Sequence, residues 1–469
     1  MEVNVVCNFV SISNKSNLST LYCLALFLPA CKGEARLWRL VVQLLVCAGR
    51  AQCWSNSLVS GSTLVLTNPK ISSNIRTMIP RLIEDHVVSS LLSSEKIVLV
   101  LGARQVGKTT LVKDISQKLE SRGSKILYLN CDIDEERSLI NTTSKTLLAQ
   151  LLLSKVDVLL IDEAQRLDNP GLTLKIIHDS FPKVRVLATG SSSFDLKNKL
   201  SDPLTGRYFD FMFYPLSLTE ILGAGEFSKN PALLKNQADM LLPQVMLYGL
   251  YPDVYLENNP LQKQILLDKI VESYLFKDIL SFQRVKNSQA IKDLTRALSY
   301  QIGSEVNENE LSNRLKIDRK TVVSYLDILE KAYVILRAHP YSKNPRREIG
   351  KNYKIYFVDL GIRNALIGDF NSVELRRDSG FLWENFLFVE RRKLYANSQK
   401  SLISYFWRSY SGAEVDYIEK VANKDIAAFE FKYRGNALSR GASSFVSEYN
   451  TAVKLITKEN YFEFIKTIY

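Results

Sequence analysis

Gly102-Ala103-Arg104-Gln105-Val106-Gly107-Lys108-Thr109-Thr110 has the residue types and spacing needed to hold a phosphate chain. Gly102 and Gly107 let the backbone bend so that successive N–H groups face a polyphosphate. Lys108 can neutralise the outer phosphates, and the Thr109 hydroxyl can join a Mg²⁺ shell. An apolar run, Ile97 to Leu101, leads into the loop as a buried strand, and helical spacing follows it. The helix begins where its dipole favours an anion. The expected ligands are ATP and Mg²⁺, and the bland alternative is a glycine turn carrying a solvated lysine.

Downstream, the aliphatic run Val158-Leu159-Leu160-Ile161 ends in Asp162-Glu163. A carboxylate at a strand tip can hold the magnesium through water, and Glu163 beside it can polarise an attacking water. A further strand, Val184 to Ala188, ends in Thr189-Gly190-Ser191-Ser192-Ser193. Thr189 or Ser191 can donate to a γ-phosphate there; the alternative is an ordinary serine-rich turn.

Two more stretches carry chemistry. Glu310 to Leu315 and Arg319 to Lys331 read as helix-turn-helix, with Asp318 as N-cap and Val322, Leu326 and Leu329 buried. Arg319, Lys320, Thr321 and Ser324 then face outward, and Lys343, Arg346, Arg347, Lys351 and Lys354 follow as a basic wing. Such residues suit phosphate contacts on a nucleic acid, although the same shape also serves protein contacts. In the last third, Glu430 and Lys432 stand two apart on an apolar strand and share one face, with Asp416 near the end of the preceding strand. Two carboxylates can bind Mg²⁺ while a lysine orients water, and Glu384 can add a third carboxylate. The same groups can serve binding alone.

The elements that must position these groups fit an α/β chain. Its 469 residues exceed one ordinary domain, and 46% hydrophobic against 23% charged residues supply a core. The net charge of +12 permits contact with nucleic acid or acidic lipid without requiring either. Cys7, Cys23, Cys31, Cys47 and Cys53 all precede Met78, leaving only Cys131 beyond it. That excludes a disulfide framework for the main body and fits the reducing cytoplasm. Residues 1–77 contain no Asp and lack a steady helix or strand period. Leu18 to Ala30 imitates a signal-peptide core, and Leu28-Pro29-Ala30-Cys31 a lipid-attachment site. Neither run reaches the roughly 18 to 20 apolar residues that span a bilayer, so no membrane partner is expected. The preferred expectation is an upstream extension, with Met78 beginning the working protein; intact-mass measurement of the native chain tests it.

The succession GARQVGKTT, VDVLLIDEAQ, VRVLATGSSS and LTGRYFDFMFYPLSLTE resembles prokaryotic AAA-type ATPases that carry a C-terminal domain of uncertain function with a restriction-nuclease-like fold. The likeness runs from about Met78 to Tyr469. It implies a sheet with an extra strand between the Walker A and Walker B strands, Glu163 as hydrolytic base, and a ring or dimer of subunits. Arg207 matches the family's Gly-Arg position, where an arginine completes a neighbouring subunit's site; from the residues alone it can equally pair with a surface acid. Leu247-Tyr248-Gly249-Leu250-Tyr251-Pro252 matches another family motif, with Leu250 where a second glycine is usual. That departure questions the tightness of the turn. Glu272 to Ile279 is a further landmark.

The expected fold is α/β: an extension over 1–77, an AAA-type P-loop core over 78–225, a helical lid or linker over 226–303, a winged helix-turn-helix over 304–370, and a PD-(D/E)XK nuclease-like domain over 371–469. The expected function is ATP hydrolysis acting on or with nucleic acid. The alternatives are an ATP-switched regulator with an inactive nuclease-like domain, and a protein-interaction ATPase.

Overall fold

The computed structural model describes residues 79–152, 156–190, 204–223, 230–276, 279, 285, 287–343, 352–409, 411–421 and 426–468. The chain divides into two compact units, Met1–Arg76 and Thr77–Tyr469, and every element below belongs to the second. The upstream extension with its signal-like and lipidation-like runs, and the start at Met78, lie outside the described residues.

Helix α1 (Glu84–Ser93) feeds strand β1 (Ile97–Leu101), all of whose residues are buried. An unbroken aliphatic run suits a parallel strand covered on both faces. Helix α2 (Lys108–Glu120) follows, then β2 (Ile126–Asn130), β3 (Val158–Asp162), α3 (Pro170–Ser180), β4 (Arg185–Gly190) and β5 (Tyr208–Met212). The five strands form a parallel sheet in the order β2-β3-β4-β1-β5. β4 therefore separates β1 from β3, as the family resemblance implied. Because neighbouring strands run the same way, the ends of β1, β3 and β4 come together at one edge, where α2 begins.

Helices α4 (Leu218–Gly223) and α5 (Pro231–Tyr248) lead away from this sheet. The turn after α5 explains the Leu247–Pro252 motif. Gly249 has φ +68°, and a Cβ there would lie 1.9 Å from Asp359 Oδ1, so only glycine fits against that carboxylate. Leu250 is no obstacle: its side chain is buried, its N–H donates to Asp359 Oδ2 at 2.7 Å, and its carbonyl accepts from Leu216 N at 3.0 Å.

Next come α6 (Ser288–Tyr300), β6 (Glu305–Val306), α7 (Glu308–Leu315), α8 (Arg319–Lys331), β7 (Ile335–Pro340) and β8 (Tyr353–Phe357). Asn307 caps α7, and Asp318 caps α8 by accepting from Lys320 N at 3.0 Å. Val322, Leu326 and Leu329 are buried as their spacing requires. Helices α9 (Leu360–Ile367) and α10 (Ser379–Asn397) precede β9 (Leu402–Arg408), β10 (Glu414–Val421), β11 (Ile426–Phe431), α11 (Arg440–Tyr449), β12 (Val453–Ile456) and α12 (Tyr461–Lys466). These strands form one seven-stranded sheet, β12-β11-β10-β9-β7-β8-β6, with β9, β10 and β11 antiparallel and β12 parallel to β11. β7 joins β9 through His339–Tyr405 and Pro340–Phe406, so the sheet runs without a break across the boundary expected at 370/371.

Candidate nucleotide site and acidic cluster

The loop from Gly102 to Gly107 links the end of β1 to α2. A Cβ on Gly102 would fall 2.0 Å from the carbonyl oxygen of Phe213, so glycine is needed for β1 to leave the sheet beside that segment. Gly107 is the N-cap of α2 at φ +97°, Gln105 has φ +59°, and no side chain caps the helix. First-turn N–H groups of a helix have no intrahelical acceptor, and an oxyanion supplies one. Lys108 is buried, and its Nζ donates to the carbonyls of Gly102 at 3.0 Å and Ala103 at 2.8 Å. Its ammonium thus spans the loop, 4.0 Å from Glu163 Oε1. These features fit a bound polyphosphate.

β3 ends on Asp162, where three other side chains converge. Thr109 Oγ1 donates to Asp162 Oδ2 at 2.6 Å, bringing together the two oxygen groups expected to hold Mg²⁺. Tyr128 OH reaches the same oxygen at 3.4 Å. Thr189 Oγ1 donates to Asp162 Oδ1 and accepts from Glu163 N at 3.0 Å. Thr189 was expected to face the γ-phosphate; it is instead fully buried and holds the two acids in place. The register causes this, because Ala188 pairs with Ile161 and the next residue along β4 meets the end of β3. Ser191, the other expected donor, lies outside the described residues. Glu163 turns out of β3 at φ +54°, and its carboxylate accepts from Gln165 Nε2.

Arg207 pairs with Asp179, Nε to Oδ1 at 2.9 Å, which is the surface-acid alternative. It precedes β5, whose first residue Tyr208 pairs with Ile97 at the start of β1, so Arg207 lies at the sheet edge opposite the loop. Among the residues the sequence did not single out is Arg81, ahead of α1. Its guanidinium donates to Val106 O at 2.8 Å, Tyr214 O at 2.6 Å and Glu220 Oε1 at 3.1 Å, and stacks 3.8 Å from the Phe213 ring centroid. No motif marks it, because all four partners lie elsewhere in the chain.

The expected nuclease residues meet in the second sheet, with companions. Glu384, on α10, accepts from Lys354 Nζ at 2.9 Å and from Tyr356 OH at 2.6 Å. Lys354 is buried and also pairs with Glu414. Asp416 accepts from Phe431 N at 2.8 Å. Burial and the charge of Glu384 push its carboxyl up to about 7, opposed by Lys354, the Phe431 amide and Lys432. Glu430 accepts from Ser439 N at 3.0 Å and from Ser439 Oγ at 3.0 Å, and pairs with Lys432 at 2.7 Å. Glu384 was expected as a third metal-binding carboxylate. An ammonium holds it instead, and among the described residues no group of three or more His, Cys, Asp or Glu side chains is arranged to hold a metal ion. Lys354, expected on the wing, points inward, where Glu384 of α10 and Glu414 of β10 meet it.

The proposed nucleic-acid contacts divide. Lys320 is exposed at the start of α8. Arg319 is engaged by Glu308 at 2.9 Å. Lys343 donates to Glu448 O at 2.6 Å and lies 5.0 Å from the Tyr449 ring centroid, against α11. Arg346 and Arg347 fall outside the described residues. No helix among those residues is long and apolar enough to cross a membrane.

Residues 94–222 match a family model described as AAA domain. Residues 240–373 and 379–464 match two models described as domains of unknown function. An uncharacterized protein of Haemophilus influenzae is 28% identical over 338 residues, 70% of this chain and 80% of its own. One from Methanocaldococcus jannaschii is 24% identical over 381 residues, 79% of this chain and 81% of its own. Among solved structures, AMPPCP-bound DnaA from Aquifex aeolicus aligns with a TM-score of 0.26 at 16% identity, covering 53% of this chain and 87% of that one. Residues 94–222 are thus similar to AAA domains, and the two regions that follow match models described only as domains of unknown function.

Proposed function

We propose that this protein is an ATP-hydrolysing AAA-type ATPase that works in the cytoplasm on or with nucleic acid. The observation that carries the reading is the convergence of Lys108, Thr109, Asp162 and Glu163 at the end of an uncapped helix. The backbone of residues 102–110 and Lys108 bind the phosphates. Thr109 and Asp162 hold Mg²⁺, which when bound offsets charge on the phosphate oxygens. Thr189 fixes Asp162 and the Glu163 backbone, and Glu163 takes the proton of the attacking water. Arg207 enters only if a neighbouring subunit displaces Asp179 from it, in a homo-oligomer.

Phosphate release from ATP with Mg²⁺ tests this. Wild type hydrolyses ATP, whereas Glu163→Gln binds it and turns over about 100-fold or more slowly. Equal rates for the two proteins sink the assignment of Glu163.

The helix-turn-helix with its β7–β8 hairpin has the element order of a winged helix, and exposed Lys320 supports phosphate contact. The order α10-β9-β10-β11-α11-β12 supports a restriction-nuclease-like fold for the last segment. Lys354 between Glu384 and Glu414 favours the second reading of that segment, an inactive nuclease-like fold used for docking, with ATP as the switch. Mg²⁺-dependent cleavage of DNA or RNA that disappears in Asp416→Asn and Lys432→Ala rejects this second reading.

A further inference from the structure

We propose that Arg81, which precedes the matched AAA region, is a positioning residue for the phosphate loop; the inference rests on the nucleotide-binding reading above. The Val106 carbonyl and the Gly107 N–H belong to one planar trans peptide and point in opposite directions. Arg81 Nη1 holds that carbonyl at 2.8 Å, which turns the Gly107 N–H away from Arg81. A Cβ on Gly107 would lie 3.7 Å from the same Nη1, so the guanidinium sits directly beneath the bend. Gly107 is at φ +97°, a conformation that glycine adopts readily and that leaves this peptide free to flip if nothing holds it.

Each edge of the guanidinium is used. Nη2 donates to Tyr214 O at 2.6 Å, Nε meets Glu220 Oε1 at 3.1 Å, and the flat face covers Phe213 at 3.8 Å. Glu220 is itself held by Leu82 N at 3.1 Å and Ser217 N at 2.8 Å. The anchor for the loop is therefore the Phe213–Glu220 segment, with the rigid fork of one arginine between them. A lysine keeps the charge opposite Glu220, but its compact ammonium lacks the planar fork that meets three acceptors at once. Arg81 touches no phosphate in this arrangement and acts through Val106.

The test is a titration of the full-length protein with a fluorescent ATP analogue and Mg²⁺, alongside turnover and thermal unfolding, for wild type, Arg81→Ala and Arg81→Lys. Arg81→Ala is expected to weaken nucleotide binding about tenfold or more, the scale of one charge-assisted hydrogen bond. At saturating ATP its turnover should fall far less, because the loop holds ground state and transition state alike. Methylguanidinium in millimolar amounts should restore part of the affinity, and methylammonium should not. If Arg81→Ala does not fold, Arg81→Lys gives the same reading, with weakened binding at near-native stability expected. Unchanged affinity in a folded Arg81 variant, or a loss that only follows the melting temperature and resists methylguanidinium, overturns the inference. A wild-type protein that binds no ATP overturns the nucleotide reading itself and this inference with it.

Discussion

Lys108 and Lys354 are both buried ammonium groups, each beside an acidic strand end, yet their partners differ in kind. Lys108 rests on two neutral carbonyls of its own loop, with Glu163 4.0 Å away. Lys354 sits between the full charges of Glu384 and Glu414. A phosphate oxyanion can take the place of carbonyl dipoles at small cost, because a charged acceptor is the stronger one. It cannot displace two carboxylates without leaving the buried Glu384 short of its cation, while the half-buried Glu414 keeps only Arg408 at 3.8 Å. The first arrangement is a site prepared for an anion, and the second is a charge cluster already closed upon itself.

Removing each lysine should therefore do different things. Lys354→Met leaves the buried Glu384 without its cation and Glu414 with Arg408 alone, and should lower stability by about 3–5 kcal/mol in denaturant titrations while ATP affinity stays near wild type. Lys108→Ala should do the reverse, weakening ATP binding by about 100-fold in calorimetry with little change in unfolding. If both variants lose stability equally and ATP binding survives, the distinction between an open and a closed lysine fails.

A smaller effect sharpens the closed side. Asp378 accepts from Arg376 at 2.7 Å and Arg363 at 2.6 Å. Burial alone would raise its carboxyl, but the Arg376 hydrogen bonds and the charges of Arg363 and Arg376 take it down to about 2. A depressed carboxylate stabilises the fold above its unfolded value near 4 and loses that contribution as pH falls towards 2. Asp378→Asn should cost about 1–2 kcal/mol at pH 7, after allowance for screening by water, and almost nothing at pH 2. A cost independent of pH contradicts the ion-pair account. The smallest change concerns a third kind of cation, the exposed Lys320. Lys320→Ala should reduce the salt slope of DNA binding by about 1 without altering sequence preference. An unchanged slope removes α8 from any nucleic-acid interface.

Much of the first region could be read along the chain because its chemistry is contiguous. Nine neighbouring residues, 102–110, make the loop, and Asp162-Glu163 ends a strand whose burial is written in its aliphatic run. The caps of α8 and its buried positions were legible for the same reason: a cap and a helical stripe are local patterns. The aim of Thr189 was not, since it depends on which strand lies beside β4. Nor was the inward direction of Lys354, which faces Glu384 and Glu414 from elements 30 and 60 residues further along the chain. Leu250 gave a misleading doubt: the turn is held by Asp359, more than a hundred residues away, and tolerates the extra side chain.

By itself the sequence determined where the backbone bends, which strands are covered on both faces, and which acids and bases stand at their ends. Those properties depend on neighbours within a few residues. Only the tertiary structure decided what each buried charge faces: Arg81 under Val106, Thr189 on Asp162, Arg207 with Asp179, Lys354 between two carboxylates. A buried charge needs a partner wherever packing places it, and packing joins elements that the order of residues keeps far apart.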